Sequence, residues 1–248
     1  MSARRWTPIK ALLLAAGEGT RLRPLTLTMP KPMVRVGGRP VLEHLIDLLR
    51  DHGIVDVAIN LHYKPRAIVD YFGDGGRFGV ALTYSHEERL LGSAGAAKRL
   101  QKFLDEPFVV IYGDVLCALD LDELLELHRA RGAAATMALY EVPDPNRCGV
   151  VQTGQDGRVT RFVEKPAFDM GNLANAGVYV LDPSVLDLVP NGQPSDFGHD
   201  LFPDLLARNW PVYACPGSGY ILDIGSMERY EQAQADWAAG LIRRPIAA

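Results

Sequence analysis

The apolar run Ala11-Leu12-Leu13-Leu14 passes directly into Ala15-Ala16-Gly17-Glu18-Gly19-Thr20-Arg21-Leu22. A short, unbroken apolar run that ends in glycines reads as a strand buried on both faces, and such strands belong inside mostly parallel sheets. The loop that leaves it suits an anion. Gly17 and Gly19 lack Cβ atoms, so backbone N–H groups can approach an oxyanion closely. Arg21 and Lys31, the latter in Met29-Pro30-Lys31-Pro32, supply charge to neutralise it. A dinucleotide fingerprint needs a small residue where Leu22 stands, and a Walker loop needs Gly-Lys-Ser/Thr; neither condition is met. Taken alone, an ordinary tight turn explains the same glycines.

The rest of the chain repeats the alternation. Strands are expected at 9–14, 55–60, 80–84 and 108–112, with helices near 40–52, 64–72 and 94–104. The first helix follows Gly37-Gly38-Arg39-Pro40, and its Val41, Leu42, Leu45, Leu48 and Leu49 recur at helical spacing. A helix over 120–131 takes Asp120 as N-cap and puts Leu121, Leu124, Leu125 and His128 on one face. Residues 134–141, 148–153, 158–164 and 175–181 read as strands, with Gln155-Asp156-Gly157 as a hairpin turn. Helices near 198–208 and 226–240 complete the pattern. Strand–helix alternation predicts an α/β fold, a sheet flanked by helices on both faces.

Composition narrows the partners. A chain of 248 residues with 48% hydrophobic residues supports one large domain. A net charge of −4 without blocks of like charge argues against nucleic acid, and no apolar run is long enough to span a membrane. The stretch Met-Ser-Ala-Arg-Arg-Trp lacks a leader's apolar core, so a cytoplasmic location is expected. Cys117, Cys148 and Cys215 are far apart and odd in number, as expected of reduced thiols, and the six histidines have no metalloprotease spacing. Trp210 and Trp237 are candidate contacts of a homo-oligomer.

The opening segment, with Pro30-Lys31-Pro32, resembles the signature of the sugar-phosphate nucleotidyltransferases. Six further blocks follow in that family's order: Leu91-Gly92-Ser93-Ala94-Gly95, Gly113-Asp114, Cys148-Gly149-Val150-Val151, Glu164-Lys165-Pro166, Asn175-Ala176-Gly177-Val178-Tyr179 and Asp223-Ile224-Gly225. The resemblance covers roughly residues 9–230 and is most similar to short guanylyltransferases of mannose or heptose 1-phosphate. It implies one nucleotidyltransferase domain over 1–248, with a Rossmann-like, mostly parallel sheet of the glycosyltransferase-A-like kind. The nucleotide-binding half would cover about 9–115 and the sugar-phosphate half about 116–240. Many relatives continue into a β-helix of hexapeptide repeats; none is expected here.

The implied reaction joins a nucleoside triphosphate to a sugar 1-phosphate and releases pyrophosphate. It calls for cationic groups, backbone N–H groups and Mg²⁺ rather than a nucleophilic triad. By the resemblance, Leu14, Ala15, Ala16, Gly17, Gly19, Thr20, Gly92 and Ser93 contact nucleotide. Arg21 and Lys31 grip the triphosphate, and Asp114 and Asp223 hold Mg²⁺. Lys165 contacts the sugar phosphate, while Gly149, Glu164 and Asn175 hold the sugar. The family usually has Tyr-Gly where this chain has Cys148-Gly149, which puts the sugar contacts of that loop in doubt.

Glu87 stands where thymidylyl- and uridylyltransferases carry a base-reading glutamine. An ionised carboxylate only accepts hydrogen bonds, which matches the adjacent N1–H and N2–H₂ donors of guanine and not the pyrimidine edge. Glu88 is expected to face solvent. The favoured base is therefore that of GTP, and the resemblance to short guanylyltransferases implies mannose 1-phosphate or a manno-heptose 1-phosphate as the sugar. The alternatives are a uridylyl- or thymidylyltransferase of glucose 1-phosphate or an amino sugar 1-phosphate, a cytidylyltransferase of phosphocholine, and a catalytically silent nucleotide-sugar-binding subunit. No aromatic cage for phosphocholine is evident, and a silent subunit should have lost the charged residues that this chain retains.

Overall fold

A computed structural model describes residues 9–216 and 219–242; the leader reading of residues 1–6 lies outside them. Its first half contains β1 (Lys10–Leu14), a short ribbon of β2 (Arg35–Val36) and β3 (Arg39–Pro40), α1 (Val41–Asp51), β4 (Asp56–Leu61), α2 (Pro65–Phe72), β5 (Ala81–His86), α3 (Gly92–Arg99) and β6 (Phe108–Tyr112). Then come β7 (Val115–Leu119), α4 (Leu121–Arg131), β8 (Ala135–Glu141), β9 (Gly149–Thr153), β10 (Val159–Glu164), β11 (Leu173–Leu181), α5 (Phe202–Ala207), β12 (Val212–Pro216), β13 (Gly219–Asp223) and α6 (Met227–Ala238).

The main sheet runs β10-β9-β11-β6-β1-β4-β5, with β8 and then β12 also attached through β11. Pairings of β1, β4, β5 and β6 are parallel; β11 is antiparallel to its neighbours. Alternation along β1 explains its hydrophobicity. Ala11 and Leu13 enter a core with α1, α2 and α4, while Leu12 enters the core on the other face with α3 and residues of α5. Leu14 pairs with both Asn60 and Tyr112, so β1, β4 and β6 end level. Ligands of open α/β sheets bind at such carboxyl ends.

Beyond that edge the sheet forks. The carboxyl half of β11 pairs with β6, but Ala174 pairs with Val150 of β9, and an irregularity separates Asn175 from Tyr179. Two short strands, β7 and β13, form a separate antiparallel pair that places Asp223 opposite Val115. Both lie outside the expected elements, as does β12.

Most other elements fall within two residues of expectation. Asp120 accepts hydrogen bonds from the N–H groups of Asp122 and Glu123, as an N-cap should. The helix expected at 94–104 instead starts at Gly92, whose φ is +71°, and ends at Arg99. Its first turn is capped from afar: Ser195 O accepts from Ala94 N and Gly95 N, so no local signal marks the start. The segment expected as helix near 198–208 opens with a widened turn at Phe197–Leu201 before α5. Pro203, which has no N–H to give a preceding turn, sits in the first turn of α5. Trp237 packs within a third cluster with Leu22, Val36, Leu222 and Ile224, and Trp210 packs partly buried against the second core, so both tryptophans have intramolecular roles. Among the described residues, no helix is long and apolar enough to cross a membrane.

Candidate active site

Two clefts meet over the carboxyl ends of β1, β4 and β6. The first, about 220 Å³, is lined by Leu14, Ala16, Gly17, Lys31, Asn60, Glu87, Leu90, Gly92 and Ser93 among others. The second, about 430 Å³, is lined by Arg21, Gly149, Glu164, Lys165, Asn175 and Asp223 together with Tyr140, Cys148 and His199. Tyr112, Asp114 and Asp196 border both.

Asp114 and Asp223, 109 positions apart, are brought together by the β7–β13 pair, in which Ile224 N also donates to Asp114 O at 2.9 Å. The Lys31 ammonium bonds to Asp114 and lies 3.6 Å from Asp223 Oδ1. Lys31 is 9% exposed, so its charge is satisfied by these carboxylates rather than by water. Lost hydration and the neighbouring Asp114 charge hold the Asp223 carboxyl above its ordinary range, against the opposing pull of Lys31 and Arg21. Two carboxylates that repel each other and share a cation are a hard-oxygen donor set suited to a divalent ion. Among the described residues, the one three-residue cluster of metal-ligating groups, His52 with Asp120 and Asp122, is elsewhere. Asp120 caps α4 there, and His52 Nε2 accepts from Leu121 N.

Not every residue assigned by resemblance reaches a cleft wall. Ala15 is buried and donates its N–H to Asn60 Oδ1 at 2.7 Å. Gly19 packs against Lys31, and Thr20 is exposed; neither lines the two clefts. Ser93 lines the first cleft, but both its N–H and its hydroxyl donate to Asp196 Oδ1, at 3.0 and 3.1 Å. Asn60 and Asp196 carry no motif of their own. Asn60 is nonetheless findable as a polar residue at the end of an apolar parallel strand, whereas Asp196 comes from a loop with no such signal.

Glu87 is 5% exposed and is gripped on both oxygens: Asn60 Nδ2 donates to Oε1 at 2.8 Å and Leu91 N to Oε2 at 2.9 Å. Glu88 is exposed, as expected. In the second cleft, a Cβ on Gly149 would stand 2.7 Å from Glu164 Oε2 and 2.8 Å from Phe162 Cζ, so only glycine fits beneath that carboxylate. Lys165 follows with φ +49°, a left-handed conformation that lysine rarely adopts. Asn175 Nδ2 donates to the Tyr179 hydroxyl at 2.7 Å, while its Oδ1 accepts from Gly177 N. Where the resemblance implies a tyrosine, the half-buried Cys148 thiol lies beside the Tyr140 hydroxyl, and burial pushes the thiol upward. Cys117 and Cys215 are buried free thiols.

Comparison with known proteins fits this geometry. Residues 10–240 match the model of the nucleotidyl transferase family. A UTP–glucose-1-phosphate uridylyltransferase of Synechocystis sp. is 42% identical over 91% of this chain and 62% of its own length. A mannose-1-phosphate guanyltransferase of Pichia angusta is 38% identical over 95% of this chain and 66% of its own length. The chain thus spans less than two thirds of either relative. The crystal structure of HddC from Yersinia pseudotuberculosis with GMP-PN is 29% identical, with a TM-score of 0.79, and covers 92% of this chain and 99% of that one.

Proposed function

The chain belongs to the nucleotidyl transferase family, and we propose that it transfers a nucleoside monophosphate from a triphosphate to a sugar 1-phosphate, using GTP with mannose 1-phosphate or a manno-heptose 1-phosphate. The observation that carries the reaction class is the cluster of Asp114, Lys31 and Asp223 at the meeting of two clefts, with Arg21 on the second.

The two clefts divide the substrates. The nucleoside enters the first, between Leu90 and Glu87, with its triphosphate over Gly17 and toward Lys31 and Arg21. The sugar phosphate enters the second, with Lys165 at its phosphate and Glu164 and Asn175 at its hydroxyls. A sugar-phosphate oxygen then attacks the α-phosphorus in line, and the bond to the leaving pyrophosphate breaks. The nucleophile is already an oxyanion, so alignment and charge neutralisation suffice. Asp114 and Asp223 would hold Mg²⁺, which would supply positive charge against the negative charge that develops on the phosphates. Lys31 then turns from the carboxylates toward phosphate oxygens.

Guanine is favoured by Glu87. Asn60 and Leu91 hold its carboxylate at the cleft wall, and each oxygen keeps a second acceptor site for guanine N1–H and N2–H₂. The guanyltransferase relative and the neighbour solved with GMP-PN support the same base. A second reading, uridylyl transfer to glucose 1-phosphate, draws on the 42% identical uridylyltransferase. Both readings require the carboxylate pair. Asp114→Asn should lower kcat by about a thousandfold with the fold intact by circular dichroism. The test is Mg²⁺-dependent pyrophosphate release across GTP, ATP, CTP, UTP and dTTP, each with mannose, glucose and manno-heptose 1-phosphates. A GTP preference supports the first reading and a UTP preference the second. No release with any pair would overturn both and favour a nucleotide-sugar-binding subunit.

A further inference from the structure

Asn60 holds two groups at once. It lies near the end of β4, paired in register with Leu14, and is 3% exposed. Its Oδ1 accepts from Ala15 N, the first N–H of the glycine loop, at 2.7 Å, and its Nδ2 donates to Glu87 Oε1 at 2.8 Å. Glu87 is pinned in turn. Its N–H donates to Leu61 O at 2.8 Å, and Leu91 N donates to its Oε2 at 2.9 Å. A backbone N–H can only donate. Ala15 N therefore dictates how the Asn60 amide faces, with its oxygen toward Ala15 and its NH₂ toward residue 87. Leu91 N makes the same demand from the other side. Residue 87 meets a donor at each terminal atom, and a carboxylate accepts at both. Asn60 and Glu87 are both buried, so water does not repair a mismatch there.

What faces the base follows from this arrangement. The lone pairs left on Glu87 are also acceptors, so the cleft wall offers acceptor beside acceptor, the complement of two adjacent donors. We propose that Asn60 is a positioning residue that sets base preference, relaying the polarity of Ala15 N through its amide to the edge that Glu87 presents. This inference rests on the guanine reading made above. It makes positions 60 and 87 reciprocal: an amide at one requires a carboxylate at the other. Asn60→Asp alone sets two buried carboxylates against each other. Glu87→Gln alone turns an NH₂ onto a donor. Together they restore every partner with net charge and shape unchanged. The new carboxylate accepts from Ala15 N and from the new amide, whose oxygen accepts from Leu91 N. The edge left for the base is then donor beside acceptor, which fits a carbonyl and N3–H of uracil and opposes two adjacent donors.

Urea midpoints and kcat/KM for GTP, inosine triphosphate and UTP test the relay in the unaltered protein, each single variant and the double variant. Turnover is measured with Mg²⁺ and whichever of mannose, glucose or manno-heptose 1-phosphate the unaltered protein uses best. Inosine triphosphate keeps the N1–H of guanine and lacks its N2 amine. The unaltered protein should therefore use GTP about tenfold better than inosine triphosphate and about a hundredfold better than UTP. Each single variant should lower the midpoint, and the double variant should regain more than about half of the larger loss. In the double variant the GTP-to-UTP ratio should fall about thirtyfold, with GTP and inosine triphosphate equal within about threefold. A double variant no more stable than its weaker parent overturns the relay and leaves the guanine reading standing. Rescued stability with the preference for GTP unchanged makes Asn60 merely structural and overturns it too, as does a stable double variant that uses none of the three nucleotides. An unaltered protein that prefers UTP, uses inosine triphosphate as well as GTP, or turns over no pair overturns the guanine reading itself, and this inference with it.

Discussion

Glu87 shows how one side chain answers two demands. Its oxygens accept hydrogen bonds from Asn60 Nδ2 and Leu91 N. Glutamine at this position would turn its NH₂ toward one of those donors and leave both unsatisfied. Glu87→Gln should therefore cost about 1–2 kcal/mol of stability, read as a lowered denaturant midpoint. If Glu87 also reads guanine, kcat/KM for GTP should fall about tenfold more than for UTP, the discrimination expected of a bidentate base contact. Equal losses for both nucleotides would leave Glu87 as internal scaffolding only. The local signal for Glu87 was the spacing to Gly92-Ser93, and it led to a residue on the cleft wall. Lys31, Asp114 and Asp223 were legible in the same way, through short motifs whose charges have no use in a core. Tyr112 and Asp196 were not, because their neighbourhood exists only once β6 and the 193–197 loop converge.

Elements were legible where burial imposes a period and illegible where partners are remote. Val115–Leu119 falls outside the expected strands, and its partner in the fold is β13, about a hundred positions away. Helix α4 is the opposite case, with cap, apolar face and αL Gly132 stop all local. Its His128, placed on the apolar face by spacing, is 6% exposed with Nδ1 3.0 Å from Thr136 Oγ1 of β8. Burial lowers its pKa to about 4, with Asp182 opposing weakly. The folded state therefore keeps His128 neutral over a range in which the unfolded chain, near 6.5, takes up a proton. The unfolded state binds more protons there, so stability rises with pH and is lost as pH falls from about 6.5 toward 4. Between pH 7 and pH 5 the loss attributable to His128 should be about 2 kcal/mol. His128→Gln, which cannot titrate, should show a correspondingly smaller drop in urea midpoint over that interval; an unchanged drop would remove His128 as its source.

At the scale of the molecule, the third hydrophobic cluster joins parts far apart in sequence. It packs Leu22, Val34 and Val36, which follow the glycine loop, against Leu222 and Ile224, which flank Asp223, and against Ala233 of α6. Trp237 closes it. The indole lies so near Gly37 that a Cβ there would stand 2.1 Å from Nε1, and its ring is 4.8 Å from that of His44. Gln234 adds hydrogen bonds to Gly37 N and Arg35 O. Helix α6 thus braces both the segment that carries Arg21 and Lys31 and the strand that carries Asp223, although none of its own residues lines either cleft. In the sequence Trp237 is a candidate subunit contact; in the fold its indole packs on a glycine two hundred positions earlier. Trp237→Ala should cost about 2 kcal/mol, below the 3–5 of a fully buried aromatic because the indole is only partly covered. Slackness in the cluster should reach Asp223 before it reaches the base pocket. The Mg²⁺ concentration for half-maximal pyrophosphate release should then rise about threefold, with the ratio of GTP to UTP turnover unchanged, since Glu87 and Asn60 are anchored on β4 and the β5–α3 turn rather than on α6. A loss of stability without any shift in Mg²⁺ requirement would show that β7 alone fixes Asp223 and that α6 serves the fold and not the site.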